Sequence, residues 1–298
     1  MTVGCNMYKE SKWASDLMRL QGQDGSWGNF HSLSDPKRQG ATTEQALRRL
    51  SILGYTIEDE PIQRAVHYMH ACLSGQRHIP DRREKSHDWD VFTELMLATW
   101  IRKFTKEDMY ANEVADKWAQ IISMSFSGGV YDHQAYVAAY KNTIGATPRG
   151  ERLIDFVSFY PVSLVADKLD EKTEALAFDH VLNHKNGLYY IYGNPAGNTP
   201  LSALPDCFCS KASSRYLGAI ELLSAYRRNL KKLRFVADWI GLHQNEFGSY
   251  DMGSAVADKL YFPLSNSWRQ KANREKDCTY RIKQLLDSLQ TEDRREDR

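Results

Sequence analysis

One pattern occurs twice in the chain with identical internal spacing. An apolar residue, a glutamine, a glycine–serine pair and an aromatic residue form it, as Leu17-x3-Gln21-x3-Gly25-Ser26-Trp27 and as Ile240-x3-Gln244-x3-Gly248-Ser249-Tyr250. The apolar residue can anchor the last turn of a helix, and the glutamine amide can tie the following loop. The glycine permits a turn with positive φ, which lays the aromatic ring against the helix end. The pattern predicts a structural turn that ends a helix at two places, and hence a fold of repeated helical units.

Helical periodicity covers most of the remaining chain, and two kinds of helix alternate. One kind is apolar on a single face, at i, i+3, i+4 and i+7, and the other is apolar nearly all round. One-faced helices are predicted over 61–73, 108–126, 171–183 and 231–243, and apolar helices over 89–104, 153–169 and 213–228. Pro161 is expected to kink or start its helix. Small-residue turns recur at a spacing of roughly 50 to 60 residues, which is typical of stacked two-helix units.

Two terminal helices, predicted over 5–20 and 276–289, lack a neighbour in this alternation, and pairing them would close a ring. The sequence therefore predicts an all-α chain that forms an α/α toroid, or barrel, of about five to six helical hairpins with inner and outer rings. A single domain is expected over 1–290, followed by a charged tail over 291–298. An open solenoid is the alternative, and it would need polar caps at both ends.

Composition narrows the class of protein and of partner. Hydrophobic residues make up 42% and charged residues 26%, which excludes a disordered or fibrous chain. Lys and Arg number 39 against 38 Asp and Glu, so the basic excess that nucleic-acid binding needs is missing. No signal peptide or membrane span is expected, which favours a cytoplasmic location and leaves contact with a membrane surface open. The five scattered cysteines favour free thiols.

The segment LQGQDGSWG, residues 20–28, resembles the QW repeat of squalene and oxidosqualene cyclases and of protein prenyltransferase β subunits. SGGVYD, NGLYY and NEFGSYD look like weaker copies, so the resemblance covers most of the chain. The resemblance implies an α/α barrel with a central apolar cavity. It also implies a terpene cyclase-like or prenyltransferase-like protein that acts on or binds an isoprenoid, with the class II terpene cyclases as the enzyme model.

In cyclases of this kind an aspartic acid protonates an alkene or epoxide, within a DxDD motif or, in the oxidosqualene branch, a DCTAE motif. The segment HDWDV matches the first and third positions of DxDD at Asp88 and Asp90, and carries valine at the fourth. The segment DCTYR matches DCT at Asp277 and Cys278, and then departs from the motif. The resemblance implies that Asp277, beside Cys278, is the preferred general acid.

Each aspartate also lies at a predicted helix start, where capping alone would explain it. In a toroid the inner helices start at one mouth, so Asp88, Asp90 and Asp277 could converge there. Carboxylates that converge in an apolar cavity have raised pKa values, and one of them can stay protonated. An arginine within about 4 to 6 Å of Asp277, such as Arg274 or Arg281, would instead keep it ionised.

Aromatic residues on the predicted inner helices could line the cavity and stabilise a cation through their ring faces. The candidates are Trp89, Phe92, Phe156, Phe159, Tyr160, Tyr216 and Tyr280. Arg274, near Arg269 and Arg281, could grip a diphosphate bidentately. Ordinary core packing and solvated helix-start charges are the alternative explanations.

No metal and no cofactor is predicted. Asp206, Cys207 and Cys209, with His180 or His184, have ligand types that zinc accepts, but their spacing is short of CxxC. The segment GNPAGN, residues 193–198, lacks a phosphate-binding fingerprint.

Two other functions stay open at this point. A carbohydrate-active α/α barrel would use Asp90 and Asp277 as acid and base. A non-catalytic binding toroid would keep the structural turns and lack the acid. The oligomeric state is left open.

Overall fold

The computed structural model describes residues 8–36, 40–85, 88–149, 155–189, 199–254, 260–265 and 267–290. Within these ranges the chain is all-α, with eleven α-helices, one 3-10 helix and no strand. A single parallel bridge joins Ser158 and Tyr189. None of the helices in the described part is long and apolar enough to cross a membrane. The first residues of the predicted helix over 5–20, His87, the 193–198 loop and the tail lie outside the described residues.

The helices follow one another along the whole described chain. In order they are α1 Lys12–Leu20, α2 Thr43–Ile52, α3 Glu60–Leu73, α4 Trp89–Phe104, α5 Met109–Ser125, α6 His133–Ile144, α7 Phe159–Leu164, α8 Glu171–Asn183, α9 Lys211–Leu223, the 3-10 helix Arg227–Leu233, α10 Arg234–Gly241 and α11 Lys271–Leu289.

The chain divides into two compact units. The N-terminal unit comprises Met1–Lys117 and Arg149–Glu151, and the C-terminal unit comprises Trp118–Pro148 and Arg152–Arg298. In the N-terminal unit α1 packs on α2 and α3 packs on α4. In the C-terminal unit α7 packs on α9, and the 3-10 helix contacts α8, α10 and α11. Helix α5 runs across the boundary between the two units.

Periodicity placed the strongest helices correctly. The predictions over 61–73, 89–104 and 171–183 match α3, α4 and α8 to within one residue. Helix α4 is buried on most sides, as its nearly continuous apolar sequence indicates, and even Thr99 and Arg102 are buried. The all-α class is confirmed for the described residues.

Five predicted helices have different bounds in the structure; among them, 213–228 corresponds to α9 at Lys211–Leu223, and 5–20 corresponds to α1 at Lys12–Leu20. The described part of 153–169 contains only α7, because Pro161 lies in its first turn and the chain after Leu164 turns. Helix α10 begins at Arg234, since the basic residues before it form the 3-10 helix. Helix α11 begins at Lys271. The sequence predicted a later start, at residue 276, because the first turn of this helix is polar and has no apolar periodicity.

Apolar periodicity did not predict helices α2 and α6, although residues that cap both helices are present in the sequence. Thr42 and Gln45 form a capping box at the start of α2, with each side chain bonded to the backbone N–H of the other. Asp132 caps α6 by accepting two backbone N–H bonds, and Gly145, at φ +84°, ends it in the left-handed conformation. Cap motifs would have found both helices.

Candidate functional site

The duplicated turn has the same side-chain anchor in both copies. The amide of Gln21 donates to the C=O of Gly25 at 2.9 Å, and the amide of Gln244 donates to the C=O of Gly248 at 3.0 Å. Gly25 has φ +91° and Gly248 has φ +75°. Residues other than glycine rarely adopt a backbone conformation with positive φ. The prediction of equivalent turns is confirmed.

The backbone repeats this equivalence. Gly22 N–H donates to Ser26 C=O at 2.8 Å, and Asn245 N–H donates to Ser249 C=O at 2.9 Å. The glycine N–H donates back to the residue three before it, from Gly25 to Gly22 and from Gly248 to Asn245. Each turn is thus closed by two backbone bonds in addition to its glutamine.

A threonine from a later helix completes each copy. Trp27 N–H donates to Thr43 Oγ1 at 2.8 Å, and Tyr250 N–H donates to Thr279 Oγ1 at 2.9 Å. Both aromatic rings are buried. Comparing the two copies within the sequence does not reveal these threonines, because the separation between the aromatic residue and the threonine differs. It is 16 residues in the first copy and 29 in the second.

Asp277, the preferred candidate acid, lies in the second turn of α11 and not at the helix start. It is 0% exposed. Its Oδ2 accepts hydrogen bonds from Leu264 N–H at 2.8 Å and from the indole of Trp268 at 2.9 Å, and its Oδ1 accepts from Ser265 Oγ at 3.2 Å. Both carboxylate oxygens of Asp277 are thus occupied by donors from residues 264–268. The arrangement therefore favours a structural role for Asp277 over proton donation to a substrate.

Glu44, next to Thr43, is the counterpart of Asp277 in the first copy. It is fully buried, and its carboxylate accepts the indole N–H of Trp100 at 2.8 Å and the N–H of Ser32 at 2.7 Å. In both copies a buried carboxylate near the threonine thus receives an indole N–H and at least one backbone N–H, and Asp277 also accepts the N–H of Ser265 at 3.5 Å. The recurrence of this set supports the structural interpretation of Asp277.

The arginines near Asp277 form ion pairs with other carboxylates. Arg274 holds Asp251 through Nε at 2.6 Å and through Nη2 at 2.7 Å, and this contact lowers the pKa of Asp251. Arg281 pairs with Glu221 at 2.6 Å. A guanidinium that donates two hydrogen bonds to one carboxylate has already used the pair of N–H groups that would bind a diphosphate. This disfavours the predicted diphosphate contact at Arg274.

Cys278, the neighbour of the candidate acid, contributes a buried thiol. Burial raises its pKa to about 12, so the thiolate is disfavoured at neutral pH. The four cysteines in the described part, Cys72, Cys207, Cys209 and Cys278, are free thiols.

Asp88 and Asp90 lie at the start of α4, in the N-terminal unit. Asp88 takes the N-cap position, and Asp90 is exposed and pairs with Arg83 at 2.7 Å. Asp90 also lines a crevice of about 230 Å³, together with Trp89. The residues that line the crevice include the apolar Leu73, Ile79 and Leu97 and the charged Arg77 and Glu94.

The candidate aromatic residues lie in the interiors of the two units. In the N-terminal unit Trp89 packs against Phe92, with ring centroids 6.0 Å apart. In the C-terminal unit Phe156 precedes α7 instead of lying on a helix, and Tyr160 is fully buried in α7.

Two tyrosines complete the predicted set. The hydroxyl of Tyr216 donates to Leu201 C=O at 3.0 Å, and Tyr280 is half-buried in α11. Convergence of Asp88 and Asp90 with Asp277 would span the two units, and it stays a prediction.

His180, considered above with the zinc-type ligands, lies among aromatic rings. It stacks on Tyr131 with ring centroids 4.3 Å apart and on Phe156 at 6.3 Å. Burial lowers its pKa to about 4. Its Nε2 is buried and meets no hydrogen-bond partner in the described chain. No three His, Cys, Asp or Glu side chains of the described ranges are placed to hold a metal ion.

Comparisons with protein-family models, with curated proteins and with solved structures found no match. The resemblance to the QW repeat therefore rests on the residues of the sequence alone, and it stays an expectation.

Proposed function

We propose that the chain is an α/α toroid of the QW-repeat kind, and that it binds an isoprenoid or another apolar molecule in a central cavity. The observation that carries the proposal is the duplicated turn, whose glutamine, glycine, aromatic and threonine contacts recur in both copies. In the resembling families, turns of this kind accompany a barrel of paired helices. Within the C-terminal unit, the aromatic residues buried in α7 and α9 would supply apolar wall to such a cavity.

Binding is better supported than acid catalysis. Asp277 is fully buried and has its carboxylate occupied by donors, so a substrate alkene would need to displace them. Asp90 is the accessible alternative, and Arg83 would have to move before Asp90 could act as an acid. The same burial of Asp277 weakens the carbohydrate-active alternative, because an acid–base pair must reach the glycosidic bond from both sides.

Ligand binding can be tested without knowledge of the natural ligand. Native mass spectrometry on protein purified from its own host would detect a bound lipid directly. Purified protein would also be mixed with farnesol, farnesyl diphosphate, squalene and, as a polar control, maltotetraose. We expect a complex with at least one isoprenoid and none with the sugar.

The same samples separate binding from catalysis. Gas chromatography of extracted lipid would detect a cyclised product, and we expect none from the wild type. Product that survives in Asp277→Asn and disappears in Asp90→Asn would identify Asp90 as an acid. Binding of the sugar without any isoprenoid would contradict the proposal.

A further inference from the structure

The two copies of the turn share their backbone, but at two solvent-facing positions the first copy has charged residues where the second has apolar ones. Arg19 and Asp24 of the first copy correspond to Leu242 and Phe247 of the second. Leu242 and Phe247 are each 82% exposed, which makes them the most exposed large apolar residues in the described part of the chain. Isolated apolar residues are common on surfaces, but two on a single turn, where the equivalent turn carries charges, are unusual.

The turn itself does not require Phe247. In the first copy the carboxylate of Asp24 accepts the backbone N–H of Ser26 at 3.0 Å and so helps to close the turn. In the second copy Asn245 takes over this task, and its Oδ1 accepts the N–H of Ser249 at 2.9 Å. The side chain at position 247 is thereby released from the internal bonding of the turn.

Among the described residues, a helix covers the first turn, whereas residues 241–247 of the second turn are exposed. Helix α3 covers the first turn, since Gln21 also donates to Pro61 C=O at 2.8 Å and Arg64 donates to Gly22 C=O at 2.5 Å. A Cβ at Gly25 would lie only 2.4 Å from the backbone of Arg64. In the second copy all residues of 241–247 are exposed.

Positive charge lies at the other end of α10. The 3-10 helix and the first residue of α10 present five exposed basic side chains, Arg227, Arg228, Lys231, Lys232 and Arg234. Arg228 pairs with Glu174, Lys232 pairs with Asp179, and Arg227 donates to Ser288 C=O at 3.2 Å. Arg234, Asp238 and Leu242 are exposed at every fourth position, so one face of α10 carries a basic, an acidic and an apolar residue in turn and connects the basic residues to the apolar turn. Eight residues of α-helix span roughly 12 Å.

We propose that this edge of the C-terminal unit, residues 227–247, docks on an anionic phospholipid bilayer. Leu242 and Phe247 enter the boundary between headgroups and acyl chains, and the basic residues remain near the lipid phosphates. Interfacial elements bury their apolar side chains by about 5 to 10 Å. The basic residues lie roughly 12 Å from Leu242 along α10, so they can stay near the lipid phosphates while the apolar side chains are buried. Each basic side chain near such a surface adds attraction that salt screens. The proposal does not depend on the isoprenoid proposal, because it concerns a different surface.

A bilayer explains this edge better than a protein partner does. A stable protein interface buries roughly 800 Å² on each partner. The two apolar side chains are separated by polar residues, His243, Gln244, Asn245 and Glu246, so they form a tip and not an extended apolar patch. Insertion of a tip into lipid requires only the two side chains and the nearby positive charge.

The test is sedimentation of the full chain with vesicles of phosphatidylcholine alone and with vesicles that also contain phosphatidylserine. The main variant, Leu242→Arg with Phe247→Asp, installs the residues that the first copy carries at the same positions, so the turn can accept them. Val130→Asp, at another apolar residue that is 71% exposed in the same unit, is the matched control. Arg234→Gln tests the contribution of a basic side chain at this edge. Lys211→Gln, which removes an exposed positive charge elsewhere in the same unit, is its control.

We expect the wild type to bind vesicles that contain phosphatidylserine and to bind phosphatidylcholine weakly. The double variant should lose more than roughly tenfold in affinity, given the free energy of burying two apolar side chains. Val130→Asp and Lys211→Gln should bind as the wild type does, and Arg234→Gln should bind less at low salt. Thermal melting would verify that every variant is folded.

Several results would overturn the proposal. The wild type could fail to bind either vesicle, or the double variant could bind as tightly as the wild type. Equal losses in Val130→Asp and in the double variant would show that the effect is not specific to this edge. Loss of a complex with another protein, without any vesicle binding by the wild type, would assign the edge to a protein partner.

Discussion

Trp27 is the residue that most clearly connects the repeat pattern with the folded chain. Its ring is 0% exposed, its indole donates to Leu17 C=O at 2.7 Å, and its backbone N–H donates to Thr43. The residue thus joins the end of α1 to the start of α2. The exposed Trp13, in the same helix as Leu17, stacks on Arg49 at the surface instead.

Replacing Trp27 with alanine should lower the free energy of unfolding by about 3 to 5 kcal/mol, since a fully buried ring and its hydrogen bond are lost. Urea denaturation followed by circular dichroism measures this change. Trp13→Ala is the control and should cost only about 1 kcal/mol or less, because its contact is at the surface. Equal effects of the two changes would be incompatible with the buried position of Trp27.

His180 should make stability depend on pH in a defined direction. Its pKa falls from 6.5 to about 4 on folding, mainly because burial disfavours the imidazolium. The unfolded chain therefore binds the proton more readily than the folded chain between these values. Stability is fully present above about pH 6.5 and is lost as pH falls towards 4. Melting temperatures across this interval would show the loss.

The variant His180→Phe keeps a ring that can stack on Tyr131 and removes the titrating group. Its melting temperature should fall less steeply below pH 6.5 than that of the wild type. His67→Gln, at an exposed histidine, should retain the steep fall. Parallel curves for the wild type and His180→Phe would assign the pH dependence to other groups.

At the scale of helices, long-range hydrogen bonds connect each turn to a later helix. Thr43 begins α2 and Thr279 lies in α11, yet both accept the N–H of the aromatic residue of a turn. The buried carboxylates of Glu44 and Asp277 lie beside these threonines and hold further segments. The repeated unit is therefore a turn together with a helix that can begin 16 or more residues later.

Thr43→Val and Thr279→Val should each destabilise the fold by about 1 to 3 kcal/mol, because the aromatic N–H loses its acceptor. Chemical denaturation measures the loss. Thr43→Ser and Thr279→Ser retain the hydroxyl and should recover most of it. A valine variant as stable as the serine variant would show that the bond contributes nothing at that position.

Local patterns located only part of this arrangement. Helices α3, α4 and α8 were predicted because their apolar periodicity is strong, and the turns were predicted because glycine and glutamine keep one spacing. The role of Asp277 was not foreseen. Its donors at 264, 265 and 268 lie in a connecting segment whose path has no periodic signature in the sequence.

At the scale of the whole molecule, the proposed toroid requires α1 and α11 to be neighbours. Deleting residues through Leu20 should destabilise the N-terminal unit, since the indole of Trp27 then loses Leu17. In a closed ring the deletion should also increase amide hydrogen exchange in α11, because α11 loses its neighbour. Hydrogen exchange read by mass spectrometry separates the two effects. Unchanged exchange in α11 would favour the open solenoid, and removal of the tail after Gln290 is the control.

The sequence by itself determined the helical class of the described chain and the two equivalent turns. Both depend on local physics, namely apolar periodicity, end caps, and a glycine that permits positive φ. Only the tertiary structure decided that Asp277 is an internal hydrogen-bond acceptor, that Arg274 pairs with Asp251, and that residues 241–247 are exposed. These outcomes depend on which distant segments meet, and loops of unequal length determine that without leaving a fixed spacing in the sequence.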